Sequence, residues 1–324
     1  MNGRNYSIDI LKFICAILVV FLHTNWKFQQ VFLPFTRCAV PCFFIISGYL
    51  LFDKQGINPE RLKRNFIHVG KISFWATVFF CICKEALNII SKGIIWSPTL
   101  KEMIAWIFLN ENPFGFHLWY LFAYLYVLLV IMIINKYSKW QVLYYMIPLL
   151  LMTDLVFGKY SLLLWNWEPP YIYVRNFLFV GLPYFTIGTI IKKKTFDGVS
   201  PTMRYLLIGG VLFFTLTTYL EKYFLIYLDK CAVREHYFSS TLLSVCIFLL
   251  ALSYKISRKS LFSTIGEKDT LHIYIFHPVF ITCCSIFFQR VHLHEAYMYV
   301  APFVVLVSTL VFIKCIRKAK ILSK

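Results

Sequence analysis

The chain alternates between long apolar runs and short polar gaps. Ten of these runs approach the length of about 20 residues that a helix needs to cross a bilayer, and none shows the period-two alternation of a membrane barrel strand. A polar-aromatic segment interrupts the pattern after the third run, where Ser97-Pro98-Thr99 could cap a short helix over Lys101–Leu109. The pattern predicts an all-α bundle of about ten transmembrane spans, at 8–26, 31–52, 67–90, 116–135, 140–158, 174–191, 204–221, 238–255, 270–289 and 296–315.

Composition points to the same class of protein. The 324 residues are 59% hydrophobic and 15% charged, whereas a soluble domain carries about 25% charged residues. No polar stretch is long enough to fold separately. We therefore expect residues 1–324 to form a single transmembrane domain without a separate soluble domain.

The net charge of +18 does not indicate a nucleic-acid partner. The basic residues stand in the gaps between apolar runs, where they set the orientation of a membrane protein. With the N-terminus inside, twenty lysines and arginines lie on the inner side and ten on the outer side. This bias predicts that both termini face the cytoplasm. Most cysteines lie within apolar runs and act as small hydrophobes, so we expect neither a disulfide framework nor a bound metal.

The first span carries three ionisable side chains, Asp9, Lys12 and His23. Such residues are costly in a membrane and are candidates for function. Lys12 and His23 share one face of a helix, with their Cα atoms about 16 Å apart along its axis. The structural interpretation pairs Asp9 with Lys12 as an i,i+3 ion pair and gives His23 a carbonyl partner. The functional alternative places a cation near the inner end and a titratable base near the outer end.

Two arginines follow the second span. Arg61 and Arg64 are three positions apart, and on a helix they would share a face and could hold a phosphate group between them. The alternative is ordinary basic flanking of a span, which is common on the inner side of membrane proteins.

Three further places carry side chains of interest. Ser47 and Gly48 stand late in the second span, where small residues typically serve helix packing. His117 and Trp119 open the fourth span from the outer side, where aromatic residues often anchor a helix at the membrane interface. His277 stands immediately before a proline, and we interpret it as satisfying the backbone carbonyl that the proline frees.

Five segments, in order along most of the chain, resemble the acyltransferase type 3 family of polytopic membrane enzymes. They are Asn5–Lys12 with Val19–His23, Val40–Leu50, Arg61–Arg64, His117–Leu121 and Arg175–Gly188. The first resembles the family's basic-residue-x10-histidine motif and the third its RxxR element. Lys12 stands where many members have arginine, which keeps the charge but loses the bidentate geometry of a guanidinium group.

The resemblance implies an O-acyltransferase of a bacterial inner membrane. Such an enzyme transfers an acyl group, often acetyl, from acyl-CoA to a hydroxyl group of a surface glycan, a lipid or a small molecule. Acyl-CoA is then a co-substrate, and no bound cofactor is expected. A transporter or flippase for a polysaccharide or lipid intermediate is the alternative.

The resemblance also implies roles for single residues. His23 would be the catalytic histidine, as general base or as acyl carrier, while Lys12, Arg61 and Arg64 would handle acyl-CoA. Supporting candidates, some of them donors for an oxyanion, are Asp9, Ser47, His117, Trp119 and Asn176.

Overall fold

The computed structural model describes residues 5–53, 56–194, 201–232, 234 and 236–319. Within these ranges the ordered segments are helical, and the chain has no strands. The fourteen α-helices found there are α1 (Ser7–His23), α2 (Gln29–Thr36), α3 (Ala39–Leu51), α4 (Pro59–Lys92), α5 (Leu100–Leu109), α6 (Trp119–Lys136), α7 (Trp140–Asp154), α8 (Ser161–Trp165), α9 (Leu182–Lys193), α10 (Pro201–Tyr227), α11 (Phe238–Ser253), α12 (Leu261–Lys268), α13 (Thr270–Arg290) and α14 (His294–Lys318).

Seven helical stretches in the described part of the chain are long and apolar enough to cross a membrane. They are Gln29–Leu51, Pro59–Ile90, Phe116–Lys136, Trp140–Lys159, Thr202–Tyr227, Thr270–Arg290 and His294–Lys318. The all-α, multi-pass class is thereby confirmed. Three other predicted spans coincide with the shorter helices α1, α9 and α11, of 17, 12 and 16 residues. The count of ten spans and the side of the termini stay predictions, since residues 1–4 and 320–324 lie outside the described ranges.

The third predicted span begins earlier than its hydropathy indicates. Helix α4 begins at Pro59, not at residue 67, because the Asn58 side chain accepts the Arg61 backbone N–H and caps the helix. Proline suits this first turn, where the backbone N–H has no helical partner. Arg61 and Arg64 consequently lie in a helix, and the predicted inner gap is shorter.

Two polar caps set the boundaries of segments on the predicted outer side. The expected short helix is confirmed as α5, in which Thr99 and Glu102 cap each other's backbone N–H groups. These bonds from Thr99 hold the pKa of the Glu102 carboxyl below its ordinary value. Asn176 caps a π-helical turn, Phe177–Gly181, so the α-helix of the sixth predicted span begins only at Leu182.

The chain forms two compact units. The first comprises Met1–Phe43, Gly198–Lys222 and Phe238–Lys324, and α1 packs there against α12, α13 and α14. A side-chain carbon at Gly266 of α12 would overlap the backbone carbonyl oxygen of Asp9. The missing side chain therefore lets α12 lie directly on the first turns of α1.

The second unit comprises Phe44–Asp197 and Tyr223–Tyr237. In it α4 packs against α6 and α7 against α9. A side-chain carbon at Gly48 would overlap the carbonyl oxygen of Phe185, and one at Gly188 that of Ile45. The backbones of α3 and α9 therefore touch through two glycines, which confirms the packing interpretation of the segment around Gly48.

Candidate functional site

The first turns of α1 hold an ion pair. Lys12 Nζ lies 3.1 Å from Asp9 Oδ1, and the exposed fractions of the two side chains are 23% and 4%. The structure thus confirms the i,i+3 pair. Asp9 balances the lysine charge and holds the ammonium group near the helix, where Lys12 stays partly accessible.

His23 is the last residue of α1. The helix ends there because the Thr24 hydroxyl donates to the Val20 carbonyl at 2.7 Å, while Gln29 Nε2 donates to the Leu22 carbonyl at 2.9 Å. These bonds satisfy last-turn carbonyls that a helix end otherwise leaves without partners. The His23 side chain is half-buried. It stands at the carbonyl end of the helix.

A second histidine lies beside His23. The ring of His277, from α13, has its centroid 5.4 Å from that of His23 and is fully buried. His277 Nδ1 donates to the Ile273 carbonyl at 3.1 Å. The expected role is therefore wrong in detail: Pro278 frees the carbonyl of Tyr274, one position further along. Nothing in the sequence near either histidine pointed to the other, because they come from distant parts of the chain.

The two arginines of the predicted phosphate site lie on the first turns of α4, in the second unit. Both side chains are exposed. Arg61 Nη2 donates to the Leu50 carbonyl at 2.8 Å, and Arg64 Nε donates to the Glu60 carbonyl at 3.4 Å. Each guanidinium has five N–H donors, so most remain available to a phosphate. Their spacing on a continuous helix places them on one face, as predicted.

Ser47 belongs to a hydrogen-bond network that the sequence did not reveal. Its hydroxyl bonds with the Tyr124 hydroxyl, which also accepts a bond of 2.7 Å from Asn65 Nδ2. The Arg61 charge acts on the same tyrosine. Ser47 and Arg61 therefore both lie near Tyr124 in the second unit.

The candidates His117, Trp119 and Asn176, in the second unit, are buried and make structural contacts. The ring of His117 packs edge-on against Phe80, with centroids 4.5 Å apart. The Arg175 guanidinium lies 4.9 Å from the ring centre of Trp119. Asn176 Oδ1 accepts two backbone N–H groups of the turn that it caps, at 2.9 and 3.2 Å. These contacts shape the beginning of α6 and of the sixth predicted span.

Comparison with known proteins agrees with the matching segments. A family described as an acyltransferase domain matches residues 5–316. The chain is also similar to two proteins of Enterococcus faecalis named amino-acid racemase. One is 23% identical over 319 residues, covering 87% of this chain and 42% of the relative.

The other relative is 28% identical over 131 residues, which cover 37% of this chain and 17% of that protein. The chain thus spans less than half the length of the curated relatives it matches, and the racemase name describes those longer proteins. No solved structure matches the chain.

Proposed function

The chain belongs to the acyltransferase type 3 family, and on that premise we propose that it is a membrane O-acyltransferase. It transfers an acyl group, in the first place acetyl, from cytoplasmic acyl-CoA to a hydroxyl group of a cell-surface glycan, glycolipid or related acceptor. We place it in the inner membrane of a bacterium. The observation that carries this proposal is the position of His23, half-buried at the end of α1.

The arginine pair suits the donor. Acyl-CoA carries phosphate groups that cannot cross a bilayer, and guanidinium groups bind phosphate through paired hydrogen bonds. Arg61 and Arg64 are exposed at the start of α4, the end that the predicted topology assigns to the cytoplasm. We assign the phosphates to these two residues. Lys12, held by Asp9, is a further donor-handling residue by resemblance to the family.

His23 supplies the chemistry. As a general base, its neutral ring takes the proton of the acceptor hydroxyl while the oxygen attacks the thioester carbonyl. The carbon–sulfur bond then breaks, and the departing CoA thiolate takes the proton from the imidazolium, which leaves an ester and free CoA. In the covalent alternative the neutral imidazole attacks the thioester carbonyl and the CoA thiolate leaves; the acceptor oxygen then attacks the acyl-histidine, which frees the imidazole, and the hydroxyl proton goes to the thiolate.

Transfer of radiolabelled acetyl from acetyl-CoA to a cell-envelope glycan and lipid fraction tests the proposal, with the full chain purified in detergent. His23→Gln keeps the size and hydrogen bonding of the side chain but cannot act as a base. We expect a loss in kcat of about 10²–10⁴-fold. A folded His23→Gln protein with full activity would contradict the proposal and favour the transport alternative.

The donor site has its own test in the same assay. Replacing both arginines, Arg61→Gln with Arg64→Gln, is expected to raise the KM for acetyl-CoA, because each charge-assisted hydrogen bond is worth about 1.5–3 kcal/mol. Lys63→Gln is the matched control, since Lys63 is an exposed cation between them. An equal rise in KM in the control would mean that only the general charge of this turn matters.

A further inference from the structure

The histidine beside His23 lies deeper in the first unit. Helix α1 presents His23, which is half-buried, whereas His277 on α13 is fully buried. The ring centroids are 5.4 Å apart and the ring planes differ by 33°. His277 thus lies behind His23, on its protein side, where a substrate does not reach. A residue in that place can act on the reaction only through His23.

One hydrogen bond determines which nitrogen of His277 carries the proton. A carbonyl oxygen only accepts hydrogen bonds, so the contact of 3.1 Å between Nδ1 and the Ile273 oxygen means that Nδ1 is the donor. The neutral ring then has its lone pair on Nε2. Complete burial and the Tyr274 ring, 6.3 Å away between centroids, keep the His277 ring in this orientation.

Resting on the proposed function of His23, we infer that His277 is its positioning residue. Nε2 of His277 accepts a hydrogen bond from one ring N–H of His23. The centroid separation is compatible with such a bond, about 2.9 Å between nitrogens, once the His23 ring turns a nitrogen toward His277. The other nitrogen of His23 then carries the lone pair and faces the acceptor hydroxyl or the acyl group.

A neutral partner suits this place in the membrane. In serine hydrolases a buried aspartate holds the catalytic histidine in the correct tautomer and stabilises the imidazolium that forms. His277 can do both without an anion in an apolar interior, because the N–H of a charged His23 makes a stronger hydrogen bond to a neutral nitrogen.

Two substitutions of His277 separate positioning from packing. His277→Gln keeps an amide that can donate to the Ile273 carbonyl and accept from His23, so we expect kcat within a few-fold of the parent. His277→Phe keeps the ring but removes both polar atoms, and we expect kcat to fall about 10²-fold, the lower end of what losing a general base costs. The KM for acetyl-CoA is expected to stay unchanged in both.

A spectroscopic readout is independent of activity. In the full chain labelled with ¹⁵N-histidine and reconstituted in lipid, solid-state NMR reports which nitrogens are protonated, with His23→Gln and His277→Gln assigning the two signals. We expect one protonated, hydrogen-bonded nitrogen and one bare nitrogen in His23, and a mixture of His23 tautomers in His277→Phe.

An unchanged His23 tautomer in a folded His277→Phe protein, or an unchanged kcat, would overturn the inference. If His277→Phe does not fold, His277→Gln is the test. A kcat within a few-fold of the parent supports the inference, and a loss of kcat comparable to that of His23→Gln overturns it. An active His23→Gln protein would instead contradict the proposed function, and the NMR result would still report on the pairing.

Discussion

Two histidines, each at one end of a helix, have opposite surroundings. His23 ends α1, is half-buried and has a second imidazole as its neighbour. His236 precedes α11, is 4% exposed, and its Nδ1 lies 2.5 Å from Asp154 Oδ2. Because a buried aspartate can also hold a catalytic histidine, the pair with Asp154 does not by itself make His236 structural; the difference is that His236 and Asp154 are both buried, whereas His23 is partly exposed. We therefore expect surroundings, and not residue type, to make His23 the reactive histidine and His236 a structural one.

The neighbours of His236 show what its pair does. Lys159 Nζ donates to the Ala232 carbonyl at 2.7 Å, and Arg234 pairs with Glu168 at 2.7 Å. These contacts of two buried cations hold the segment before α11 against the segment that follows α7. The pair of Asp154 and His236 is one of these tertiary contacts, so we expect it to contribute to stability rather than to catalysis.

The largest expected effect separates the two histidines by activity. In acetyl transfer normalised to folded protein, His23→Gln is expected to lower kcat about 10²–10⁴-fold, and His236→Gln to leave kcat nearly unchanged. Size-exclusion chromatography in detergent measures the folded fraction of each variant. Equal losses of kcat would abolish the distinction and give the buried pair a part in catalysis.

The second expected effect is on stability, where we expect substitution of His236 to have the larger consequence. His236→Phe removes the ring that Asp154 contacts in this buried pair, and breaking a buried pair costs about 3–5 kcal/mol of unfolding free energy. Replacing both residues by apolar ones, Asp154→Leu with His236→Phe, is expected to recover most of that loss. Thermal unfolding in detergent measures both variants. A double variant as unstable as the single one would mean that the loss comes from packing rather than from breaking the polar pair.

A smaller effect concerns the helix that supports His23. Gly266→Ala places a carbon against the Asp9 carbonyl, and such overpacking costs about 1–3 kcal/mol. Because α12 then pushes on α1, we also expect a lower kcat. Gly209→Ala is the control, since Gly209 has no atoms near its missing side chain and alanine stabilises a helix by about 0.5–1 kcal/mol. Unchanged stability in Gly266→Ala would mean that the α1–α12 contact adapts.

The smallest expected effect lies away from both histidines, at the cap of α5. Thr99→Ala removes the N-cap and costs about 1 kcal/mol, so α5 amides should exchange with solvent about 5-fold faster. Lys101→Ala, which leaves the Thr99 cap in place, is the control. The pKa of Glu102 is lowered in the folded state. The stabilisation of α5 by the Glu102 carboxylate is therefore complete above the ordinary pKa of glutamate and is lost as pH falls through the lowered value. Exchange that is insensitive to Thr99→Ala would show that tertiary contacts alone hold α5.

Much of the fold was predictable because the signals are local. Apolar runs located the helices, and Ser97-Pro98-Thr99 marked the start of α5 within a few residues. The boundary at Pro59 was missed because a hydropathy pattern does not register a polar first turn, although Asn58 and the proline are helix-start signals in themselves. The π-helical turn after Asn176 had no comparable signal, since its apolar residues resemble an ordinary span.

The sequence by itself determined the membrane class, the ion pair of Asp9 with Lys12, and the common face of Arg61 and Arg64. Each of these follows from neighbours within a few turns, which helix geometry places without reference to the rest of the chain. Only the tertiary structure brought His277 to His23 and Asp154 to His236. Such contacts depend on how helices distant in the chain pack together, and a periodic pattern carries no record of which faces will meet.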